Sequence, residues 1–170
     1  MKYFFYIMIT ILIFSGCASN HPPLPTENSV NIKKYMGKWY EIARYEHFFE
    51  KNCKNVTATY SLKDDNTLKV TNRCQKIDTN KKTSATGVAY ATNDSNSKLK
   101  VSFFRPFYGD YWIIDLDKDY KYAVVGTPSR EYLWILSRTS TLPKNTIDNI
   151  LVKIKKLGFS TEKLIWTIQE

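Results

Sequence analysis

The chain predicts an all-β fold: eight antiparallel strands, arranged as an up-and-down barrel or a sandwich, with one helix packed outside and a short strand at the end. Three observations carry this expectation. From Trp39 onward apolar residues recur at every second position, the period of strands with one face buried. The alternating stretches are short, closely spaced and bounded by Asp, Asn, Gly or Pro. A single stretch, residues 143–157, carries the helical period instead.

Taken in order, residues 39–45 form the first strand. Val56, Ala58, Tyr60 and Leu62 then alternate with Thr57, Thr59 and Ser61. Asp64, Asp65 and Asn66 are turn formers, and Leu68, Val70 and Asn72 alternate with Lys69, Thr71 and Arg73, so residues 55–74 read as a hairpin. Further strands are expected over 83–92, 98–104, 110–116, 120–127 and 132–138. In the helix, Ile147, Ile150, Leu151, Ile154 and Leu157 share one face, with Pro143 in the first turn and Gly158 just past the end. That face should lie against the sheet. The alternative is a membrane-surface helix with Lys144, Lys153, Lys155 and Lys156 on its polar side. A last short strand over 163–169 closes the chain, and no internal repeat is present.

Composition limits what such a fold does. Twelve Tyr, nine Phe and four Trp in 170 residues supply more ring surface than an ordinary core of this size needs, so something large and apolar is built or lined. Twenty-five Lys and Arg against sixteen Asp and Glu give a net charge of +9. The basic residues are scattered, without the aromatic-interleaved stripe of a nucleic-acid groove, and no nucleic-acid partner is expected.

The first residues carry an address. Met1-Lys2 precedes an apolar run over 3–14, too short for a helix across a ~30 Å hydrocarbon core, and the run reads as an export signal. Phe14-Ser15-Gly16-Cys17 resembles the lipobox of bacterial lipoproteins, with Phe14 where Leu is usual. The resemblance makes residues 1–16 a signal peptide and Cys17 an acylated membrane anchor. Residues 17–31, with Pro22, Pro23 and Pro25, are then a tether, and residues 32–170 are one barrel domain. Ala18 after the cysteine, rather than Asp, resembles outer-membrane sorting. Loss of Lys2 with the signal leaves a side-chain charge of 9 − 1 = +8.

Three short motifs carry a second resemblance. Gly37-Lys38-Trp39-Tyr40 stands at the first strand, Lys118-Asp119-Tyr120 in the turn between the sixth and seventh, and Arg138 at the end of the eighth. In that order they resemble the G-x-W, T-D-Y and arginine signatures of the lipocalin family, with Lys118 in place of Thr. Trp39 to Arg44, Val56 to Leu62 and Phe103 to Gly109 are similar to its bacterial outer-membrane lipoprotein and apolipoprotein D-like members, and the likeness spans residues 32–168.

The resemblance implies an eight-stranded antiparallel up-and-down barrel that binds a small apolar ligand and performs no chemistry. It places the Arg138 guanidinium over the Trp39 ring at the closed end, with Gly37 where a Cβ would intrude, and puts Gly37, Trp39, Asp119, Tyr120 and Arg138 in structural roles. Strand parity then nominates the lining: Glu41, Ala43 and Tyr45 beside Trp39; Val56, Ala58 and Tyr60; Val101 and Phe103. Small residues at Ala85, Gly87, Ala89 and Ala91 suggest room, with Gly87 and Ala89 counted in the lining. One β-bulge reverses the parity of everything after it.

A fatty acid or lysophospholipid suits such a pocket. Burial is worth ~0.8 kcal/mol per CH₂, and the polar head stays at the mouth, where Arg44, Lys51 and Arg105 stand near strand ends. The expected partners are therefore a small acyl ligand and, through Cys17, a membrane. In an exported chain the remaining pair, Cys53 and Cys74, is expected to form a disulfide. Centring the hairpin on Asp65-Asn66 sets Cys74 opposite Thr57 and leaves Cys53 about 13 Å away. Either residues 51–55 fold back over the mouth or a bulge shifts the register. No cofactor and no metal are expected, since His21 lies in the tether and His47 in a loop. The competing classes are a lipid-modifying enzyme with Glu41 as acid, an envelope protein with a filled barrel, and a tetrapyrrole binder using His47.

Overall fold

The computed structural model describes residues 21–170; the expected signal peptide and Cys17 lie outside the described residues. A short helix α1 (Ile32–Tyr35) leads into strands β1 (Gly37–Arg44), β2 (Cys53–Leu62), β3 (Leu68–Lys76), β4 (Lys82–Ala91), β5 (Lys98–Phe104), β6 (Phe107–Leu116), β7 (Tyr122–Gly126) and β8 (Leu133–Ser137). Helix α2 (Lys144–Lys156) and a two-residue strand β9 (Ile165–Trp166) follow. Each strand pairs antiparallel with the next, and β1 pairs with both β8 and β2, so the sheet closes on itself as a barrel. Closure removes the unpaired edges that an open sheet would expose. The sandwich alternative is thereby excluded.

Two apolar clusters flank the wall. Trp39, Tyr60, Leu68, Val70, Ala89, Leu99, Ile113, Ala123, Val125 and Leu136 fill the inside of the closed end together with Tyr35 from α1. On the outside, Ile150 and Ile154 of α2 pack with Ile42, Ala43, Tyr45, Ile114, Val124, Leu133, Ile135 and Phe159. The apolar face of α2 is thus spent on the barrel, as expected, and Asp115 takes the Lys153 ammonium beside it.

Three features differ from the sequence expectation. Residues 21–31 do not hang free. Leu24 and Val30 are buried, Glu27 N–H donates to the Ile113 carbonyl at 2.9 Å and Val30 N–H to that of Ser95 at 2.8 Å, so the proline-held stretch is laid along the barrel. The last strand shrinks to β9, a 3-10 turn occupying 161–163. Helix α1 is too short to show a periodic face in sequence, and its Asn31 cap accepts from Lys34 N–H at 3.1 Å.

The disulfide tension resolves through the register. The turn sets Thr57 opposite Arg73 rather than Cys74, one position from the expected register, and Asn55, in the left-handed region, sits in a bulge between Lys54 and Thr57 that puts Lys54 opposite Gln75. The shift brings Cys53 and Cys74 to a Cα separation of 5.6 Å, and they are bonded.

Candidate functional site

β1 carries a second bulge, between Glu41 and Ala43. Below it Trp39 and Glu41 point inward. Above it the parity flips, so that Ala43 and Tyr45 join the outer cluster under α2 and Arg44 takes the inward position opposite Trp134. Ala43 and Tyr45, nominated for the lining by unbroken alternation, are therefore outside the barrel; Tyr45 Oη donates to the Ser160 carbonyl at 2.7 Å.

Within the barrel a cavity of about 780 Å³ opens at the end where β1, β3, β5 and β7 finish. Val56, Ala58, Val70, Ala85, Val101, Phe103 and Leu136 supply its walls, Tyr60 and Tyr111 its lower part, and Phe49, Phe104, Phe107 and Tyr108 its rim. Of the ten residues nominated from sequence it brings together Glu41, Val56, Ala58, Tyr60, Val101 and Phe103. Ala89 belongs to the packed closed end below. Gly87, also nominated, does not line the cavity: a Cβ there would stand 2.6 Å from the Ser102 carbonyl oxygen and 2.9 Å from the Phe103 ring, so the glycine lets that ring lie against β4 and cover it.

The floor is fully tied. Arg138 lies 3.7 Å over the Trp39 ring and donates to the carbonyls of Lys38 (2.9 Å), Lys34 (2.8 Å), Tyr35 (3.2 Å) and Tyr120 (3.4 Å). Gly37, with φ +96°, makes the turn beneath it. Tyr120, also at positive φ, accepts at its hydroxyl from Asn31 N–H (2.8 Å), and Asp119 lies in the same turn. Above the Trp39 ring the hydroxyls of Tyr35 and Tyr60 meet that of Tyr111 at 2.7 and 2.8 Å, and burial raises all three phenols well above their ordinary range. Three O–H protons serve two contacts, so one remains for a further acceptor. Higher on the wall, Asn72 Oδ1 is buried and accepts no hydrogen bond from the described residues.

Towards the mouth stands a charged group that the sequence only partly announces. Arg44 Nη1 lies 3.4 Å from Glu41 Oε1 and its Nε 3.5 Å from Glu50 Oε2. Glu50, carried over the mouth by the 3-10 turn Phe48–Glu50, also accepts from Trp134 Nε1 at 3.2 Å. The C-terminal segment completes the cluster: where β2 leaves β1, β9 pairs with Ala43 and Arg44, and Thr167 Oγ1 donates to Glu41. Burial pushes the Glu41 carboxyl up to about 8, helped by the Glu50 charge and opposed by Thr167 and Arg44. Burial also raises Glu50, with Trp134, Arg44 and the Glu41 proton pulling the other way. Burial thus pushes both acids towards holding their protons, and Arg44 opposes this in each. Arg44 is therefore engaged within the wall and is not a free partner for a ligand anion. His47, its pKa lowered by burial and by Arg44, stacks on Phe48 and Phe49 at the rim.

This architecture has close counterparts. A sequence profile described as a lipocalin-like domain matches residues 30–169. The chain belongs to the lipocalin family. Outer membrane lipoprotein Blc of Citrobacter freundii is 46% identical to this lipocalin over 157 residues, covering 91% of this chain and 89% of that protein. The protein of the same name from Vibrio cholerae is 38% identical with full coverage of both chains. Among solved structures, insecticyanin from the tobacco hornworm Manduca sexta reaches a TM-score of 0.70 at 21% identity over 86% of this chain and 85% of that one, a likeness of fold alone. The signature residues Gly37, Trp39, Asp119, Tyr120 and Arg138 thus all lie at the closed end. Glu50, Asn72, Tyr111, Trp134 and Leu136 border the cavity without having been nominated. Parity in β6 and β8 would have reached Tyr111, Trp134 and Leu136; nothing in the sequence marks Glu50, a loop residue folded back onto the wall.

Proposed function

We propose that this lipocalin binds single-chain acyl lipids, fatty acids or lysophospholipids, in its cavity, and stores or transports them in the bacterial cell envelope while Cys17 anchors it to the outer membrane. One observation carries the reading: a space of about 780 Å³ with mainly apolar walls is left open inside the barrel, and Glu41, Glu50, Arg73 and Asp110 are the carboxyl and guanidinium side chains on its lining. Small-molecule sites run to roughly 300–1,000 Å³. Burying a twelve-carbon chain is worth ~10 kcal/mol gross, before association costs of similar order, which supports micromolar affinity. The names of the Blc relatives support the location.

The reading includes no chemical step. Glu41 and Glu50 are committed to Arg44, Trp134, Thr167 and each other, and Cys53 and Cys74 to their disulfide. A barrel filled by its own side chains, the structural alternative, would leave no such space.

Native mass spectrometry with lipid extraction, on protein isolated from the envelope without detergent, tests the proposal. A co-purifying acyl lipid near one per chain is expected. A clean unliganded mass, together with unchanged tryptophan emission on adding laurate or lysophosphatidylcholine, overturns it; Trp134 borders the cavity and would report occupancy.

A further inference from the structure

We propose that the open end of the barrel is the face that docks on the lipid bilayer, so that ligand passes between membrane and cavity without crossing bulk water. The inference rests on the reading of Cys17 as an acylated anchor, and two independent observations carry it.

The first is where the described chain begins. Pro22 accepts from Arg130 Nη2 at 2.7 Å, and Arg130 stands in the turn between β7 and β8, at the open end. The same guanidinium reaches the Leu157 carbonyl at 3.1 Å, just beyond α2. From there residues 22–31 descend outside the barrel to the floor, where α1 begins. Three residues separate Cys17 from His21, and the four steps between them span at most about 14 Å. An anchor at Cys17 thus holds the open end, rather than the floor, within that distance of the membrane surface.

The second is the chemistry of the two ends. Phe48, Phe49, Phe104 and Phe107 are 67%, 60%, 75% and 71% exposed, and all four stand at the open end, in the loop after β1 and the hairpin joining β5 to β6. Among the described residues the loops of the closed end, 63–67, 92–97 and 117–121, carry no exposed large apolar side chain. Exposed rings gathered in two pairs at one end, Phe48 with Phe49 and Phe104 with Phe107, mark an interaction surface rather than ordinary scatter. Lys81, Lys82 and Arg105, all exposed, lie at the same end and suit an anionic headgroup layer. Rings that enter the interfacial region around the mouth of an acyl-sized cavity fit a bilayer better than a protein partner.

The test uses the full chain, matured in cells, extracted and reconstituted into phosphatidylethanolamine and phosphatidylglycerol vesicles whose acyl chains carry bromine, a short-range quencher of indole emission. Phe104→Trp places a reporter on the rim and Leu62→Trp one at the closed end, where Leu62 is already exposed. The expected result is that the emission added by F104W is mostly lost in brominated vesicles while that added by L62W is unchanged. Equal loss in both, loss in L62W alone, or loss in neither overturns the proposal. If F104W is shielded from an aqueous quencher but untouched by bromine, and the protein sediments as a dimer, the rim belongs to a second copy and the proposal falls. Laurate binding by the same preparations keeps the two readings apart. Binding without rim quenching removes the orientation alone, whereas rim quenching without binding removes the ligand reading alone.

Discussion

At the closed end the Arg138 guanidinium lies across Trp39 and gives its hydrogens to four backbone carbonyls, whereas nearer the mouth Arg44 faces two carboxyls that border the cavity. Both arginines stiffen an end of the same barrel, with opposite consequences. Carbonyls do not titrate, so the floor keeps its bonds at any moderate pH. The mouth is balanced by acids whose protonation burial has displaced, and it responds to pH. The family signature marks the first arrangement, and the carboxyls of the second border the cavity.

The comparison is broken most forcefully at Trp39. Trp39→Ala removes the largest fully buried side chain and leaves Arg138 without its ring, and unfolding free energy should fall by about 3–5 kcal/mol in urea titrations. Laurate affinity of the fraction that remains folded should change little, because Trp39 does not line the cavity. A large loss of affinity at unchanged stability would mean that floor and cavity are one unit.

At the opposite end, reducing the Cys53–Cys74 bond releases a closure over a sequence separation of 21 residues and should cost about 3 kcal/mol, read as a lower urea midpoint under reductant. A Cys53→Ser/Cys74→Ser chain should behave the same way. No change would mean that the bulge at Asn55 holds the register unaided.

How much of this was legible follows from which faces are wet. Residues 56–62 of β2 and 68–73 of β3 alternate cleanly in sequence because one side meets solvent, and the hairpin and α2 come out within a few residues. β1 is different. Both of its faces are buried and carry apolar and charged residues alike, so the adjacent apolar pair Ile42 and Ala43 does not stand out as a bulge, and a charged Arg44 gives no hint that it points inward. Parity carried through that point places Ala43 and Tyr45 on the wrong side. Residues 21–31 read as a linker because prolines dominate, and only Leu24 and Val30 betray a packed segment. Glu50 and Thr167 come to Glu41 from a loop and the C-terminal segment, by contacts that no local pattern encodes.

Glu41 sharpens the contrast between a silent floor and a titrating mouth. Its folded-state pKa lies above the ordinary carboxyl value, so the folded chain holds a proton that the unfolded chain has released. Stability is then full at acid pH and declines as pH rises towards about 8. Between about pH 6 and pH 7.5 one such proton amounts to about 2 kcal/mol. Glu41→Gln should flatten the decline, and subtracting the two urea curves cancels the opposite contribution of His47, whose pKa is lowered. Parallel curves would show that Glu41 is ionised in the folded barrel.

The smallest effect is expected at the rim. Lys51 is largely exposed and 3.7 Å from Glu46, and Arg105 is exposed at the top of the β5–β6 hairpin. Charges so placed are screened and worth little in equilibrium terms, while they do attract an approaching anion. Lys51→Glu with Arg105→Glu should therefore weaken laurate binding by less than about tenfold, chiefly through the association rate, and added salt should erase the difference. A neutral-headed ligand such as monolaurin should not notice the change. Stopped-flow tryptophan fluorescence at low and high salt separates the cases. A loss that persists in high salt would mean that the head group is held in a dry contact by Lys51 or Arg105. The polar boundary of the site would then lie above Arg44, at the rim itself, and the Glu41–Arg44–Glu50 cluster would be wall rather than mouth.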